Sequence, residues 1–138
     1  MEKTVILLKP DCVMHKHVGE VIRRFEKENF RLLAIKMIRV SSELLREHYA
    51  HHVEKPFYPE IESFMQSSPI VAMVLAGPNA VETVRQMLGP TDSQKAPKGT
   101  IRGDLGKNVQ MNVVHASDSR EAAEEELKRF FKPSEIFE

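Results

Sequence analysis

The sequence predicts an α+β domain in which helices cover an antiparallel sheet. Three observations carry this expectation. Short continuous apolar runs stand at Val5–Leu8 and Ile70–Ala76; apolar residues at helical spacing stand between them; and residues 89–110 show little apolar pattern before a last short strand and helix. In chain order, Lys3 to Lys9 (KTVILLK) reads as a buried strand that Pro10-Asp11 closes as a turn. Val18, Val21, Ile22 and Phe25 recur among charged residues and predict an amphipathic helix over 19–28. Phe30 to Val40 is β-branched and apolar enough for a long second strand. Ser41-Ser42 offers an N-cap to a short helix carrying Leu44, Leu45, His48 and Tyr49, and Lys55-Pro56 then breaks the chain. Ile61, Phe64 and Met65 mark another helix, which Ser67-Ser68-Pro69 ends. Ile70–Ala76 is the third strand. Asn79 with Glu82 resembles a capping box opening a helix with the stripe Ala80, Val84, Met87 and Leu88. After the long loop, Met111–Val114 reads as the last strand, and Asp118 with Glu121 caps a final helix bearing Ala123, Leu127, Phe130 and Phe131. The βαββαβ kernel is ferredoxin-like, with a long loop before the last strand.

Composition bounds what such a domain does. The chain has 138 residues, with 20 basic and 20 acidic side chains and no net charge, so no overall field gathers a polyanion or an acidic membrane. Any anion must be held by locally placed cations. Cys12 is the only cysteine, which excludes an internal disulfide and a cysteine zinc cluster and suits a reducing compartment. The apolar run near the N-terminus is too short for a signal peptide or a membrane span. The expectation is a single domain over 1–138, cytoplasmic, with neither membrane nor nucleic acid as partner. RNA-recognition modules share this kind of sheet, but they need aromatic residues projecting from the central strands. KTVILLK and IVAMVLA contain none.

The sharpest local feature is Asn112-Val113-Val114-His115-Ala116-Ser117-Asp118-Ser119. His115 falls where the last strand is predicted to stop, just before a helix N-terminus, a place that favours anions. Glu126 sits on the edge of the apolar stripe of the following helix and, buried there, needs a partner; His115 is the available one. Taken alone, the two also fit a core histidine and a solvated glutamate. No GxxxxGK[ST] and no GxGxxG after a strand is present. A phosphate ligand would therefore need side-chain cations, and Lys9, Arg85 and Arg102 are the candidates; arginine's planar fork suits phosphate oxygens. Each, taken singly, also fits a plain surface charge. His48, His51 and His52 contain an i,i+4 pair that could chelate a metal, but no HExxH glutamate accompanies it.

The block NVVHASDS resembles the active-site signature of the nucleoside diphosphate kinases. LLKPD, EHYAHH, KPFYPE, GPTD and GTIRGD resemble further segments of that family in the same order. The resemblance implies transfer of a terminal phosphoryl group from a nucleoside triphosphate, typically ATP, to a nucleoside diphosphate through a phosphohistidine, with ping-pong kinetics. It implies His115 as nucleophile, Glu126 and Ser117 as the residues that orient it, and Tyr49 close to the transferred group. Lys9 and Asn112 would bind the sugar hydroxyls, with Lys9 also reaching the phosphates. Arg85, Thr91 and Arg102 would bind phosphates, and Phe57 would stack on the base with Ile61 on the far side. Mg2+ would arrive on the nucleotide phosphates rather than in a protein cage, and the chain would form a homo-oligomer, a hexamer or tetramer built from dimers. A non-catalytic nucleotide-binding or scaffold relative is the alternative; it would be expected to lack His115, Lys9 or an arginine, and none is missing. Ala116 stands where glycine is commoner, Lys55 where arginine is frequent, and Pro97 one place earlier than in the usual Pro-Gly-Thr. The last of these touches a loop the family uses in subunit contacts.

Overall fold

The computed structural model describes residues Met1–Glu138. Four strands, β1 (Glu2–Leu8), β2 (Arg31–Ile38), β3 (Ile70–Gly77) and β4 (Val114–Ala116), form one antiparallel sheet in the order β2-β3-β1-β4. This is the ferredoxin-like arrangement. The helices are α1 (Pro10–Met14), α2 (Val18–Lys27), α3 (Ser42–His48), α4 (Tyr58–Met65), α5 (Ala80–Leu88), α6 (Ile101–Leu105) and α7 (Arg120–Phe130).

Both faces of the central strands are covered, which is why β1 and β3 read as unbroken apolar runs rather than alternating ones. Ile6, Leu8, Val71, Met73 and Leu75 pack on one side with Val21 and Phe25 of α2 and Val84 and Leu88 of α5. Val5, Leu7, Ala72, Val74 and Ala76 pack on the other with Leu45 of α3, Met65 of α4 and Phe130 of α7. Each fully buried aliphatic side chain contributes roughly 1.5–3 kcal/mol. β1 pairs with β3 (Val5 opposite Val74) and with β4 (Leu7 opposite His115), so His115 projects to the same face as Leu7, under α7.

Several boundaries differ from the expected ones, each for a local reason. The Pro10-Asp11 turn is the start of a helix, because proline is at home at a first helical position, where no N–H is needed. The last strand runs Val114–Ala116 rather than 111–114, because Val113 has φ 76° and cannot extend the ladder. His115 therefore lies within the strand. Ser119, not Asp118, caps α7 by accepting the Ala122 N–H at 3.0 Å. The expected capping box at Asn79 does not form: Asn79 is left-handed (φ 49°) and its side chain caps nothing. Instead the Glu2 carboxylate, from the start of β1, accepts the Val81 N–H at 2.8 Å. Ser41 caps α3 as expected, accepting from Leu44 at 3.1 Å. The stretch over 89–110 contains a 3-10 turn (Ser93–Lys95) and α6, whose N-cap Thr100 accepts the Gly103 N–H at 3.0 Å. No helix is long and apolar enough to cross a membrane.

Glu2 links the first strand to α5 and also pairs with Arg120 of α7; that pairing first, then the Val81 N–H, holds its carboxyl below the usual range. A carboxylate so depressed adds stability above its unfolded pKa and loses it as pH falls. Glu2→Ala is expected to lower stability by about 1 kcal/mol at pH 7, the scale of a lost cap. Urea denaturation measures this, and an unchanged midpoint would mean that the Val81 N–H is satisfied without Glu2.

Candidate active site

A cleft of about 930 Å³ opens between α3, α4, the 89–112 segment and the foot of α7. Every site residue that the family signature points to lines it except Ser117, which lies behind Glu126. At its floor, Glu126 Oε1 accepts the Ser117 hydroxyl at 2.7 Å, and Oε2 lies 3.1 Å from His115 Nε2. The Ser117 Oγ in turn accepts the Val5 N–H of β1 at 3.0 Å, which anchors the chain to the sheet. Burial works to raise the Glu126 carboxyl, but the bonds from His115 and Ser117 and the nearby imidazoles outweigh it and hold the carboxyl below its usual range. An ionised carboxylate only accepts, so His115 carries its proton on Nε2. Nδ1 then keeps its lone pair. The ring is half-buried and lines the cleft.

Lys9 begins where β1 ends and is nearly buried. Its ammonium donates to Gln110 O at 2.7 Å and Asn112 Oδ1 at 2.8 Å. Burial lowers Lys9 to about 8, with the Asp11 charge resisting and Arg102 assisting. Asn112 uses its amide to donate to Thr91 O at 3.0 Å, so the Lys9–Asn112 pair is tied to the loop as well. Lys9 and Asn112 each retain an N–H for a ligand. Arg102, on α6, donates to the carbonyls of Asn112 (3.3 Å), Gly89 (3.0 Å) and Val114 (2.7 Å). Burial, then the Arg85 charge, lowers it to about 10. Gly89 presents its carbonyl with φ 82°, and a Cβ there would stand 2.8 Å from the Thr100 hydroxyl. Only glycine fits.

Arg85 and Thr91 are exposed on the cleft wall. Phe57, 44% exposed, and the half-buried Ile61 form an apolar mouth at the start of α4. Lys55 lies 5.7 Å from the centroid of the Phe57 ring, a weak cation–π contact at an exposed place. Burial and the Glu126 charge push the Tyr49 phenol up to about 12, so it remains a donor.

Sequence reasoning gave His48 no role in the site. It does not form a chelating pair with His52; its ring packs edge-on to His115, centroids 4.8 Å apart, and against Phe130 at 5.1 Å. Arg129 Nη1 donates to its Nδ1 at 2.9 Å, and burial, then the neighbouring His115 ring, lowers it to about 3. A neutral imidazole therefore backs the His115 ring. His51 and His52 lie instead against each other, 4.0 Å between centroids. Arg129 had no local signal, since its contact with His48 depends on α3 meeting α7.

The approach to His115 is strained. Val114 N–H donates to Asn112 O at 2.8 Å around Val113, whose φ is 76°: a γ-turn on a β-branched residue. Such a conformation costs on the order of 1–3 kcal/mol.

The family model for nucleoside diphosphate kinase matches residues 2–136. A nucleoside diphosphate kinase of Rhodopirellula baltica is 48% identical over 136 residues, covering 99% of this chain and 90% of that one. One from Thermus thermophilus is 47% identical, covering 99% of each. A halophilic nucleoside diphosphate kinase from Halobacterium salinarum, solved in complex with CDP, superposes with a TM-score of 0.96 at 40% identity, covering 99% of this chain and 91% of that one. The Aquifex aeolicus enzyme gives 0.93 at 40% identity, covering 98% of each. These likenesses define a phosphotransferase that acts on nucleotides. The chain belongs to the nucleoside diphosphate kinase family, whose members pass the terminal phosphoryl group of a nucleoside triphosphate to a nucleoside diphosphate. Nothing among them favours the non-catalytic alternative.

The lowered pKa of Lys9 predicts a pH limit on binding. Nucleotide affinity is expected to fall as pH rises through about 8, where Lys9 loses its proton. Lys9→Met is expected to bind more weakly throughout and to lose this alkaline limb. Titration calorimetry with ADP from pH 7 to pH 10 reads both, and a flat wild-type profile would exclude Lys9 as the titrating cation.

Proposed function

We propose that residues 1–138 form one catalytic domain in which His115 carries the phosphoryl group between two nucleotides. The observation that carries this reading is the His115–Glu126–Ser117 chain at the floor of a cleft walled by Lys9, Arg85 and Arg102. The Nδ1 lone pair attacks the terminal phosphorus of a nucleoside triphosphate. The N–P bond forms as the P–O bond to the departing diphosphate breaks, and that electron pair leaves on the oxygen. A second diphosphate then enters, and its terminal oxygen takes the phosphoryl group while the N–P electrons return to Nδ1. Throughout, Glu126 holds the Nε2 proton, so the ring needs no outside acid or base.

The remaining roles follow the chemistry of each group. Arg85, Arg102, Thr91 and Lys9 bind phosphate oxygens; Lys9 and Asn112 bind sugar hydroxyls; the Tyr49 hydroxyl stands near the transferred group. Phe57 and Ile61 hold the base by its faces, which every base possesses. The CDP carried by the Halobacterium salinarum relative, a pyrimidine diphosphate, agrees with such a grip. Mg2+ rides on the nucleotide: the one cluster with metal-ligand spacing is His48, His115 and Glu126, nitrogen-rich and unsuited to a hard cation that prefers oxygen. Carried by the nucleotide, the ion would supply neutralisation of phosphate charge, while Lys9, Arg85 and Arg102 position the chain of phosphates.

The working form is a homo-oligomer, a hexamer or tetramer built from dimers. Supporting the dimer step, β2 stands at the sheet edge with Ile35 (48%) and Met37 (60%) exposed. Only at Leu33, whose carbonyl accepts the Phe137 N–H at 2.8 Å, does the chain's own C-terminal segment bond to the β2 backbone, and the rest of such an edge invites a second strand. The free Cys12 suits a reducing, cytoplasmic setting.

His115→Ala is expected to form no phosphoenzyme from ATP and Mg2+ while still binding nucleotide. The wild-type adduct should be acid-labile and base-stable, as a phosphoramidate is. Mass spectrometry after brief exposure to ATP reads this, and phosphate exchange at the wild-type rate in the variant would overturn the assignment. Glu126→Gln keeps the shape but loses the charge that fixes the tautomer. A fall in kcat of roughly tenfold to a thousandfold is expected from stopped-flow or coupled assays; unchanged kinetics would remove Glu126 from the mechanism.

A further inference from the structure

Asp11 stands behind the cleft in the first turn of α1 and is almost wholly buried. Its Oδ2 accepts the Val113 N–H at 3.0 Å, and its Oδ1 is buried without a partner. On the other side of the same residue, Lys9 N–H donates to Val113 O at 2.9 Å. Val113 itself has no preference for φ 76°; a β-branched side chain resists it. A conformation of that kind persists only where its surroundings impose it. The Lys9 bond is an uncharged backbone bond just beyond the β1–β4 pairing. The Asp11 bond is charge-assisted and comes from another segment, whose start Pro10 fixes.

We propose that Asp11 is a positioning residue for phosphoryl transfer: its carboxylate clamps the Val113 amide, keeps the left-handed turn closed, and so sets where Asn112 and His115 stand in the cleft. The inference rests on the role given to His115 above. The turn lies directly between Asn112, which holds Lys9, and the His115 strand, so its opening would displace both together. The Asp11 charge also faces Lys9, where burial and Arg102 oppose the cation. One carboxylate thus serves both the geometry of the nucleophile and the charge of the phosphate-facing ammonium.

The test is the rate of phosphoenzyme formation at saturating ATP and Mg2+ in Asp11→Asn, Asp11→Ala, Val113→Gly and the double variant Asp11→Ala/Val113→Gly. Asp11→Ala is expected to slow the step about 100-fold, the scale of a misplacement of about 1 Å. Asp11→Asn still offers an amide oxygen to Val113. It is expected to stay within about tenfold of wild type at pH 7, while the alkaline limb of kcat/KM moves to lower pH because Lys9 has lost its anion. Glycine adopts the turn unaided, so Asp11→Ala is expected to cost less than about tenfold when measured against Val113→Gly alone. A wild-type rate in Asp11→Ala, or the same loss in both backgrounds, overturns the clamp. So does an equal loss in Asp11→Asn and Asp11→Ala, and an unmoved limb in Asp11→Asn overturns the link to Lys9. Should Asp11→Ala not fold, the double variant decides alone: a loss near 100-fold there, or its own failure to fold, overturns the proposal. A phosphoenzyme in His115→Ala would instead overturn the parent reading, whatever the Asp11 variants do.

Discussion

Glu126 is an anion placed where water scarcely reaches, only 6% exposed between α7 and the sheet. A carboxylate there is tolerated only if its oxygens accept from donors that cannot leave, and breaking such a set typically costs about 3–5 kcal/mol. The donors are Ser117, itself pinned to the backbone of β1, and the His115 ring on β4. The site consequently needs β1 and β4 side by side and α7 across them. That is what the strand order β2-β3-β1-β4 provides, and α7 packs on β1 more extensively than any other helix does. The tautomer of His115 follows from the same anion, since an acceptor on one ring nitrogen leaves the other with its lone pair. His48 completes the arrangement from α3 as a neutral wall that adds no charge beside the ring.

The chain as a whole carries no net charge and acidic side chains share the cleft lining, yet Lys9, Arg102 and Arg85 stand close enough to feel one another's charge. Burying cations is costly, and Lys9 and Arg102 register the cost as lowered affinity for their protons. Each offsets it by donating to fixed carbonyl or amide oxygens rather than to carboxylates that would cancel the charge. Arg102 is bonded to three backbone carbonyls and Lys9 to one carbonyl and one side-chain amide. The positive charge is held in place without being neutralised, which is the condition for stabilising charge that develops on a ligand.

Much of this was legible in the sequence because it is local or periodic. IVAMVLA and KTVILLK announced the central strands, and Ser41 announced the start of α3. What escaped was non-local. Asn79 and Glu82 have the spacing of a capping box, but the donor of that turn is met by Glu2, a residue far away in the chain, and Asn79 is left-handed. MNVV has strand composition, but a clamp from α1 and a γ-turn at Val113 delay the strand to Val114. His115, Glu126, Lys9, Arg85 and Arg102 were candidates from residue type and position, with a core histidine, a solvated glutamate and plain surface charges left open; the family resemblance added Ser117, Tyr49, Thr91, Asn112, Phe57 and Ile61. Asp11 and His48 fall inside the LLKPD and EHYAHH segments and Arg129 in none, but no role in the site attached to any of the three. Their contacts exist only once α3, α7 and α1 have packed, so single-sequence patterning carries no trace of them.

The cleft is graded in rigidity, and on the proposed roles that grading decides what the enzyme discriminates. At the floor, Lys9, Asn112, Arg102 and His115 are buried or half-buried and each is bonded to protein atoms in at least one direction. At the mouth, Phe57 and Arg85 are exposed and neither makes a hydrogen bond through its side chain. In-line transfer demands reacting atoms about 3–3.5 Å apart, and a misplacement of about 1 Å is expensive. Precision therefore belongs where phosphate and sugar sit. A base held only by stacking at a yielding mouth adds affinity without fixing register, so purines and pyrimidines can share one catalytic geometry. The strain at Val113 fits the same division: the molecule accepts an unfavourable backbone at the one place where the nucleophile has to be aimed, and leaves the base end to adapt.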